Sequence, residues 1–262
     1  MPENVANDTE SSQAVRDYET PNLLYISYVP LISNFDKEKL DSIKADVDSW
    51  FAYEVGKTES ELSNQMREKR LPADGTVASR VQRMMYRAKV IERLREHSSI
   101  WAPLDSMHGG KKSLGPTPED SVYGEVYEEL KSHHITQGSL PEEFSFVLKS
   151  ATLLMASTME STKSPEYRHL STNVEYKYDA AKETFTPVIK ATHFVVKFQF
   201  EEASVTSTVS YRDYQMRFDK EKWDFAKLRA KDLITSGEKF LKETSLVLLM
   251  NTPPSSAHAI KG

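Results

Sequence analysis

A change in hydrophobic period near Ser171 constrains the fold of this chain more than any other feature. Before this point, apolar residues recur mainly at three- and four-residue intervals, as on one face of a helix. After it they alternate, as in residues 174–178, and short polar turns at 179–182 and 201–203 separate the alternating runs. Consecutive strands joined in this way are typical of an antiparallel meander. The sequence predicts an α+β fold with a mainly helical N-terminal half, a C-terminal β meander and a final helix that stops near Gly237.

The N-terminal half contains several separate helix signals after one strand signal. Residues 23–29 are β-branched and aromatic, which predicts a strand that ends at Pro30. A helix with an apolar face is expected over 40–50, and a polar helix over 58–70. An amphipathic helix over 74–96 follows.

Composition divides the chain into five regions. Residues 1–20 are polar and acidic and residues 251–262 are rich in polar and small residues, so both termini are predicted to be disordered. Residues 21–106 form the mainly helical region. Glycine, proline and lysine accumulate at 107–118, which predicts a loop or linker. The remaining α+β region, with the antiparallel sheet, spans 119–250.

The helix predicted at 74–96 is basic although the chain is acidic. Residues 67–96 hold 9 Lys or Arg against 4 Asp or Glu, whereas the whole chain has a net charge of −5. Such asymmetry is informative about partners rather than about fold. We therefore predict that an anionic partner binds a stripe formed by Arg80, Arg83, Arg87, Lys89 and Arg93.

A solvated helix face has the same spacing as a binding face, so two interpretations stay open. Arg80, Arg83 and Arg87 have no acidic residue within four positions along the chain to neutralise them. If the stripe binds, three partner classes fit: an anionic membrane surface, an acidic protein segment or nucleocapsid, and RNA. Residues Arg67, Lys69 and Arg70 also fit a nuclear import signal.

No catalytic, cofactor or metal motif stands out in the sequence. Gly56-Lys57-Thr58 resembles the end of a phosphate-binding loop, but Phe51 occupies the position where that loop needs a glycine. The chain has no cysteine, which excludes disulfides and thiolate chemistry. We expect a non-enzymatic protein without cofactors, and an enzyme with an unrecognised site is the remaining alternative.

The terminal segments bear on localisation. Residues 1–20 contain no apolar core of the kind that a signal peptide needs. The longest apolar run, at 246–250, is far shorter than the roughly 20 residues of a membrane-spanning helix. We expect an intracellular protein, cytoplasmic or nuclear, that is at most peripheral on a membrane.

Three features together suggest a family. They are the polar arm at 1–20, the basic stretch at 67–95 and the β meander through 192–200 and 204–218. In this layout the chain resembles the matrix proteins of rhabdoviruses, in particular those that infect plants. The resemblance implies a virion-associated assembly protein that condenses the nucleocapsid, contacts membrane and self-associates.

The leading hypothesis is thus a structural or assembly protein that docks through Arg80, Arg83 and Arg87. Replacing these three residues with glutamate is expected to abolish binding and to leave the fold intact. The alternative is an RNA-binding protein that uses the same stripe together with sheet aromatics such as Tyr176, Tyr178 and Tyr211.

Overall fold

The fold is α+β, as the sequence predicts. The computed structural model describes residues 17, 23–30, 34–136, 148–149, 152, 166–181, 183–202, 204–244 and 247–251. Its elements in chain order are β1 (Leu23–Val29), α1 (Asn34–Arg67), α2 (Val77–His97), β2 (Leu104–Thr117), α3 (Val122–Thr136), β3 (Glu166–Asp179), β4 (Thr184–Phe200), β5 (Val205–Arg217), α4 (Lys220–Arg229), α5 (Lys231–Glu243) and β6 (Val247–Asn251).

All the described strands belong to one mixed sheet in the order β2-β5-β4-β3-β1-β6. The predicted meander is confirmed, because β3 pairs antiparallel with β4 and β4 antiparallel with β5. The first strand is also confirmed, but it joins the far side of β3 in a parallel pair and then pairs in parallel with β6. The first and last described strands therefore lie side by side, next to the meander.

Helices pack on both faces of this sheet. One apolar cluster joins sheet residues such as Ile189 to α1, α2, α4 and α5, and a second joins residues such as Val196 to α3. In β4 the buried positions are odd-numbered near Phe185 and even-numbered near Phe198, and the residues from Ala191 to Phe194 are all buried. The middle of β4 is thus buried on both faces.

The separate polar helix predicted at 58–70 is wrong, because α1 runs without a break from Asn34 to Arg67. The inward face of its second half carries polar residues, because Glu54, Thr58 and Glu59 are buried there. The Thr58 hydroxyl donates to the Glu54 carbonyl oxygen at 2.7 Å. Because these inward side chains are polar, hydrophobic periodicity does not identify this part of the helix as buried.

The loop or linker predicted at 107–118 is also wrong, because these residues lie almost entirely in β2. This outer strand pairs antiparallel with β5, from Leu104 opposite Met216 to Thr117 opposite Val205. An outer strand needs ladder hydrogen bonds on one side only, so it tolerates the glycine and proline that suggested a loop. Gly110 leaves room for a neighbouring ring, since a Cβ there would lie 2.2 Å from the Tyr211 hydroxyl oxygen.

The predictions about the two ends of the chain are wrong wherever the structure describes the residues concerned. The final helix does not stop near Gly237, because α4 and α5 follow each other and Gly237 lies inside α5. The disordered arm is wrong at Asp17, which is buried. The disordered tail is wrong at Asn251, which is the last residue of β6. The other residues of 1–20, and residues 252–262 of the predicted tail, lie outside the described residues.

Candidate functional site

Arg83, one of the predicted docking residues, lies in the protein interior. Its guanidinium forms a bidentate pair with Asp17, with Nε–Oδ2 at 2.7 Å and Nη2–Oδ1 at 2.8 Å. Nη1 donates to the carbonyl oxygens of Pro72 and Asp74 at 2.8 and 2.9 Å. Arg83 therefore ties the start of α2 to the turn before it and to the N-terminal arm.

Arg87 extends the same network. Its Nε and Nη2 donate to the two carboxylate oxygens of Glu59 at 2.6 and 2.9 Å, and Nη1 reaches Asp17 Oδ2 at 2.9 Å. Arg83 and Arg87 are both 0% exposed. The prediction that these two residues dock a partner is wrong, because a fully buried guanidinium does not reach a partner's surface.

Arg95 forms a second buried ion pair toward the end of α2. It donates to both oxygens of Glu54 at 2.7 and 2.6 Å and to the Thr172 hydroxyl at 2.8 Å. The Tyr25 hydroxyl donates to the same carboxylate at 3.2 Å. Burial, and next the nearby Glu54 carboxylate, raise the pKa of Tyr25 well above its ordinary value. Arg87 and Arg95 thus fix α2 against α1, and Arg95 also ties it to the sheet.

The remaining predicted basic residues face outward, apart from Arg80, which is half-buried. Lys89 and Arg93 are exposed one turn apart on α2, and three more cations are exposed at and just beyond the end of α1. We call this set the outer basic surface; it consists of Arg67, Lys69, Arg70, Lys89 and Arg93.

Arg70 and Arg93 both lie near Tyr86. Burial and the Glu61 carboxylate raise the pKa of the Tyr86 phenol, and the fields of Arg93 and Arg70 oppose that rise. Arg93 itself pairs with Glu61, and Arg70 Nη1 lies 3.1 Å from Glu68 Oε2. Glu166 also lies near Lys89. Five cations thus stand against three carboxylates, which leaves the outer basic surface positively charged.

A helix cap sets the direction of Lys69 and Arg70. The amide of Lys69 donates to the Met66 carbonyl oxygen at 3.0 Å, and that of Arg70 donates to the Gln65 carbonyl oxygen at 2.9 Å. This pattern ends α1 with Lys69 at φ 57°, the left-handed conformation of a Schellman cap. Beside it lies an open depression of about 500 Å³, lined in part by Met66, Lys69, Arg70 and Gln82.

A further cluster, which the sequence analysis missed, joins α2 to the sheet through Glu92. His193 Nδ1 lies 2.6 Å from Glu92 Oε1, which also accepts from Arg212 at 3.1 Å and from the Tyr214 hydroxyl at 3.2 Å. Burial raises the pKa of Glu92, but the hydrogen bond from His193 and the nearby Arg212 and Arg168 outweigh it, so the pKa is lowered. No local sequence signal identifies this cluster, because its members come from α2, β3, β4 and β5.

The acid–histidine pair of Glu92 and His193 resembles part of a catalytic triad, in which an acid orients a general base. His193 is only 1% exposed, so a substrate does not reach its ring in this conformation. We therefore interpret the pair as a clamp that holds α2 on the sheet.

No protein-family model and no curated protein matches the chain. The site must therefore be interpreted from its own chemistry. Within the described ranges, no helix has both the length and the apolar character needed to cross a bilayer. In that same part of the chain, no three His, Asp or Glu side chains are grouped so as to hold a metal ion.

The tyrosines proposed for RNA stacking differ in accessibility. Tyr176 is 5% exposed, so its predicted role as a stacking platform is wrong. The Tyr211 ring packs on His133, with ring centroids 4.1 Å apart. Tyr178 is 38% exposed and packs on Phe185 at 5.2 Å between centroids. Of the three, Tyr178 is the most exposed.

His169 makes the stability of the protein sensitive to acid. Burial, and next the proximity of His193, lower the pKa of His169 from 6.5 to about 4. Between these values the unfolded chain binds the proton and the native chain does not, so stability falls as the pH decreases. We expect His169 to account for a loss of about 3 kcal/mol in the free energy of unfolding between about pH 7 and pH 4.

Chemical denaturation at several pH values tests this prediction. The His169→Gln variant should show a shallower loss of stability on acidification than the parent protein. His108→Gln, at an exposed histidine of β2, is the matched control and should keep the parent slope. An unchanged slope in His169→Gln would contradict the assignment.

Proposed function

We propose that this chain is a non-enzymatic structural or assembly protein, of the viral matrix type, that docks on a negatively charged partner. The partner is an anionic membrane surface or a nucleocapsid or other acidic protein, and self-association through an edge of the sheet belongs to the same proposal. The observation that carries it is the outer basic surface, an excess of exposed cations on a chain of net charge −5.

The anchoring of α2 supports this proposal. Arg83, Arg87 and Arg95 turn inward and hold the helix through buried ion pairs, while Lys89 and Arg93 of the same helix turn outward. A rigid helix presents its cations in one geometry and loses little conformational entropy on binding. Each Lys or Arg near an anionic membrane contributes about 1 kcal/mol of attraction.

Charge reversal on the outer basic surface tests the proposal. We expect Arg70→Glu combined with Lys89→Glu to weaken binding to phosphatidylserine-containing vesicles about thirtyfold or more, since at least 1 kcal/mol is lost per cation removed. The measurement is vesicle co-sedimentation at low and high salt. The control combines Lys239→Glu with Lys242→Glu, which reverses two exposed lysines of α5 and should bind as the parent does.

The outcomes separate the partner classes. If the Arg70→Glu, Lys89→Glu variant and the control both bind vesicles as the parent does, docking through this surface is contradicted. Sedimentation with single-stranded RNA but not with vesicles would favour the alternative function, an RNA-binding protein that uses the same cations and salt-dependent phosphate contacts. Nuclear import also remains a prediction, because Arg67, Lys69 and Arg70 are exposed. The cellular distribution of the Lys69→Ala, Arg70→Ala double variant tests it.

A further inference from the structure

Helix α4 points large apolar side chains in two opposite directions. Trp223 is fully buried and its Nε1 donates to the Ser49 hydroxyl at 3.0 Å. Phe225 and Leu228, three residues apart on the other side, are 62% and 80% exposed. Residues at this spacing are neighbours on a helix surface, so the two side chains form one exposed apolar pair.

This outward pair sits on a rigid base. Asp46 of α1 is 5% exposed and binds two lysines of α4, with Lys220 Nζ at 2.6 Å and Lys227 Nζ at 3.0 Å. Asp219 caps the helix by accepting from the Lys222 amide at 3.1 Å. The exposed apolar side chains therefore project from a fixed helix, and these lysines are already paired within the chain.

The remaining exposed charges on the outward side change sign along the helix. Glu221 in the first turn and Arg229 in the last are both exposed. Among the described residues neither of them has an ion-pair partner, and the Arg229 guanidinium lies over the Phe225 ring, 4.7 Å from its centroid. Asp224, which is exposed and pairs with Lys220 at 2.9 Å, adds to the acidic start. The outward face of α4 therefore begins acidic and ends basic.

A second copy of the chain in antiparallel orientation has the charges that match this face. Where a two-fold axis passes between Phe225 and Leu228, each Phe225 lies opposite Leu228 of the other copy. Asp224 then lies opposite Arg229 of the other copy, and Glu221 lies within one turn of it. A surface of one charge sign would match only one end of the helix, whereas a second copy matches both ends.

We propose that two copies of this chain associate through an antiparallel, two-fold contact between their α4 helices. Phe225 and Leu228 form its apolar centre, and the acidic start of each helix meets Arg229 of the other copy. One ten-residue helix presents less area than the roughly 800 Å² per partner of a standard interface. The contact is therefore of the weak class, which gains strength when many copies assemble. It extends the self-association of the proposed function to a second surface and is independent of the outer basic surface.

Loss of the apolar centre is the first test. Sedimentation equilibrium at protein concentrations up to about 1 mM, where contacts of the weak class are populated, measures the association. Phe225→Ser combined with Leu228→Ser should weaken it about a hundredfold, because four apolar side chains in the pair of copies no longer leave water. Ile100→Ser, at a 65% exposed isoleucine outside α4, is the matched control and should associate as the parent does.

A charge exchange tests the antiparallel arrangement itself. Arg229→Glu places an acid opposite Asp224 of the other copy, twice in the symmetric contact, and should weaken association about tenfold. Asp224→Arg combined with Arg229→Glu restores opposite charges across the contact and should return the affinity to that of the parent. A purely structural role of these two residues within one copy does not produce this rescue.

The outcomes distinguish failure of this contact from failure of the proposed function. Association that the double serine variant retains would overturn the role of α4 and leave an edge of the sheet as the surface for self-association. A parent protein that stays monomeric up to about 1 mM would also overturn the contact. Vesicle binding through the outer basic surface would stand in either case, because these substitutions lie outside that surface. Failure of Asp224→Arg to rescue Arg229→Glu would overturn the antiparallel arrangement, and vesicle binding by a monomer that the double serine variant weakens would assign α4 to a membrane instead.

Discussion

Replacing Gly237 with alanine is expected to destabilise the protein by roughly 4 kcal/mol, among the largest effects of any single substitution. Helices α1 and α5 cross at Gly56 and Gly237 with their backbones in contact. A Cβ on Gly237 would lie 1.7 Å from the Ala52 carbonyl oxygen, and one on Gly56 would lie 1.9 Å from the Leu233 carbonyl oxygen. Backbone atoms cannot rotate away as a flexible side chain can, so the helices would have to separate.

Thermal or chemical denaturation measures this effect, and Gly124→Ala is its matched control. Gly124 lies in α3 and has nothing within 4 Å of the position that a Cβ would occupy. Alanine there should stabilise the protein by about 0.5–1 kcal/mol, through lower entropy of the unfolded chain and better helix propensity. A Gly237→Ala protein as stable as the parent would show that the two helices do not cross this closely.

The same crossing explains why Gly56-Lys57-Thr58 occurs in a chain without a phosphate-binding loop. The motif lies inside α1, where Gly56 permits the approach of α5 and Thr58 is buried. The sequence shows that the upstream glycine is missing, and so argues against nucleotide binding. It does not show that Gly56 packs on Gly237, because the two helices are far apart along the chain, with strands β2 to β5 between them in sequence.

Local periodicity predicts the helices and strands better than it predicts which strands pair with each other. In α2 the apolar residues spaced by three or four positions predict one inward face, and of these Val81, Met84, Ala88 and Ile91 are buried. Val77 continues the same spacing but is 40% exposed. The β meander also follows from alternation alone, since its strands are neighbours in sequence. The pairing of β2 with β5 depends on residues about 100 positions apart, and the composition of β2 on its own favours a loop.

The prediction of the docking site is wrong for Arg83 and Arg87 because the sequence does not show which arginines of the helix are exposed. The sequence predicts that Arg80, Arg83 and Arg87 are available to a partner, because no acidic residue lies within four positions of them along the chain. The carboxylates that pair with Arg83 and Arg87 lie 28 to 70 residues away along the chain. Only the three-dimensional arrangement separates these inward arginines from Lys89 and Arg93, which share the helix and the charge.

Replacing Arg87 with alanine is accordingly expected to cost about 3–5 kcal/mol of folding free energy rather than to abolish binding in a folded protein. The substitution leaves the Glu59 carboxylate buried without its two hydrogen bonds from Arg87, and removes one from Asp17. The loss of the ion pair from a buried carboxylate accounts for most of the cost. Reversal of Arg80, Arg83 and Arg87 to glutamate would place further negative charge beside these acids, so we expect that variant to unfold.

Urea denaturation of Arg87→Ala and of Lys89→Ala tests this expectation within a single turn of one helix. Lys89 is exposed, so its alanine variant should remain within about 0.5 kcal/mol of the parent. The double variant Arg87→Met with Glu59→Met should be less destabilised than the sum of its single variants, because it removes both charges together. Equal stability of Arg87→Ala and Lys89→Ala would instead mean that Arg87 is solvated, and would return it to the surface that binds the partner.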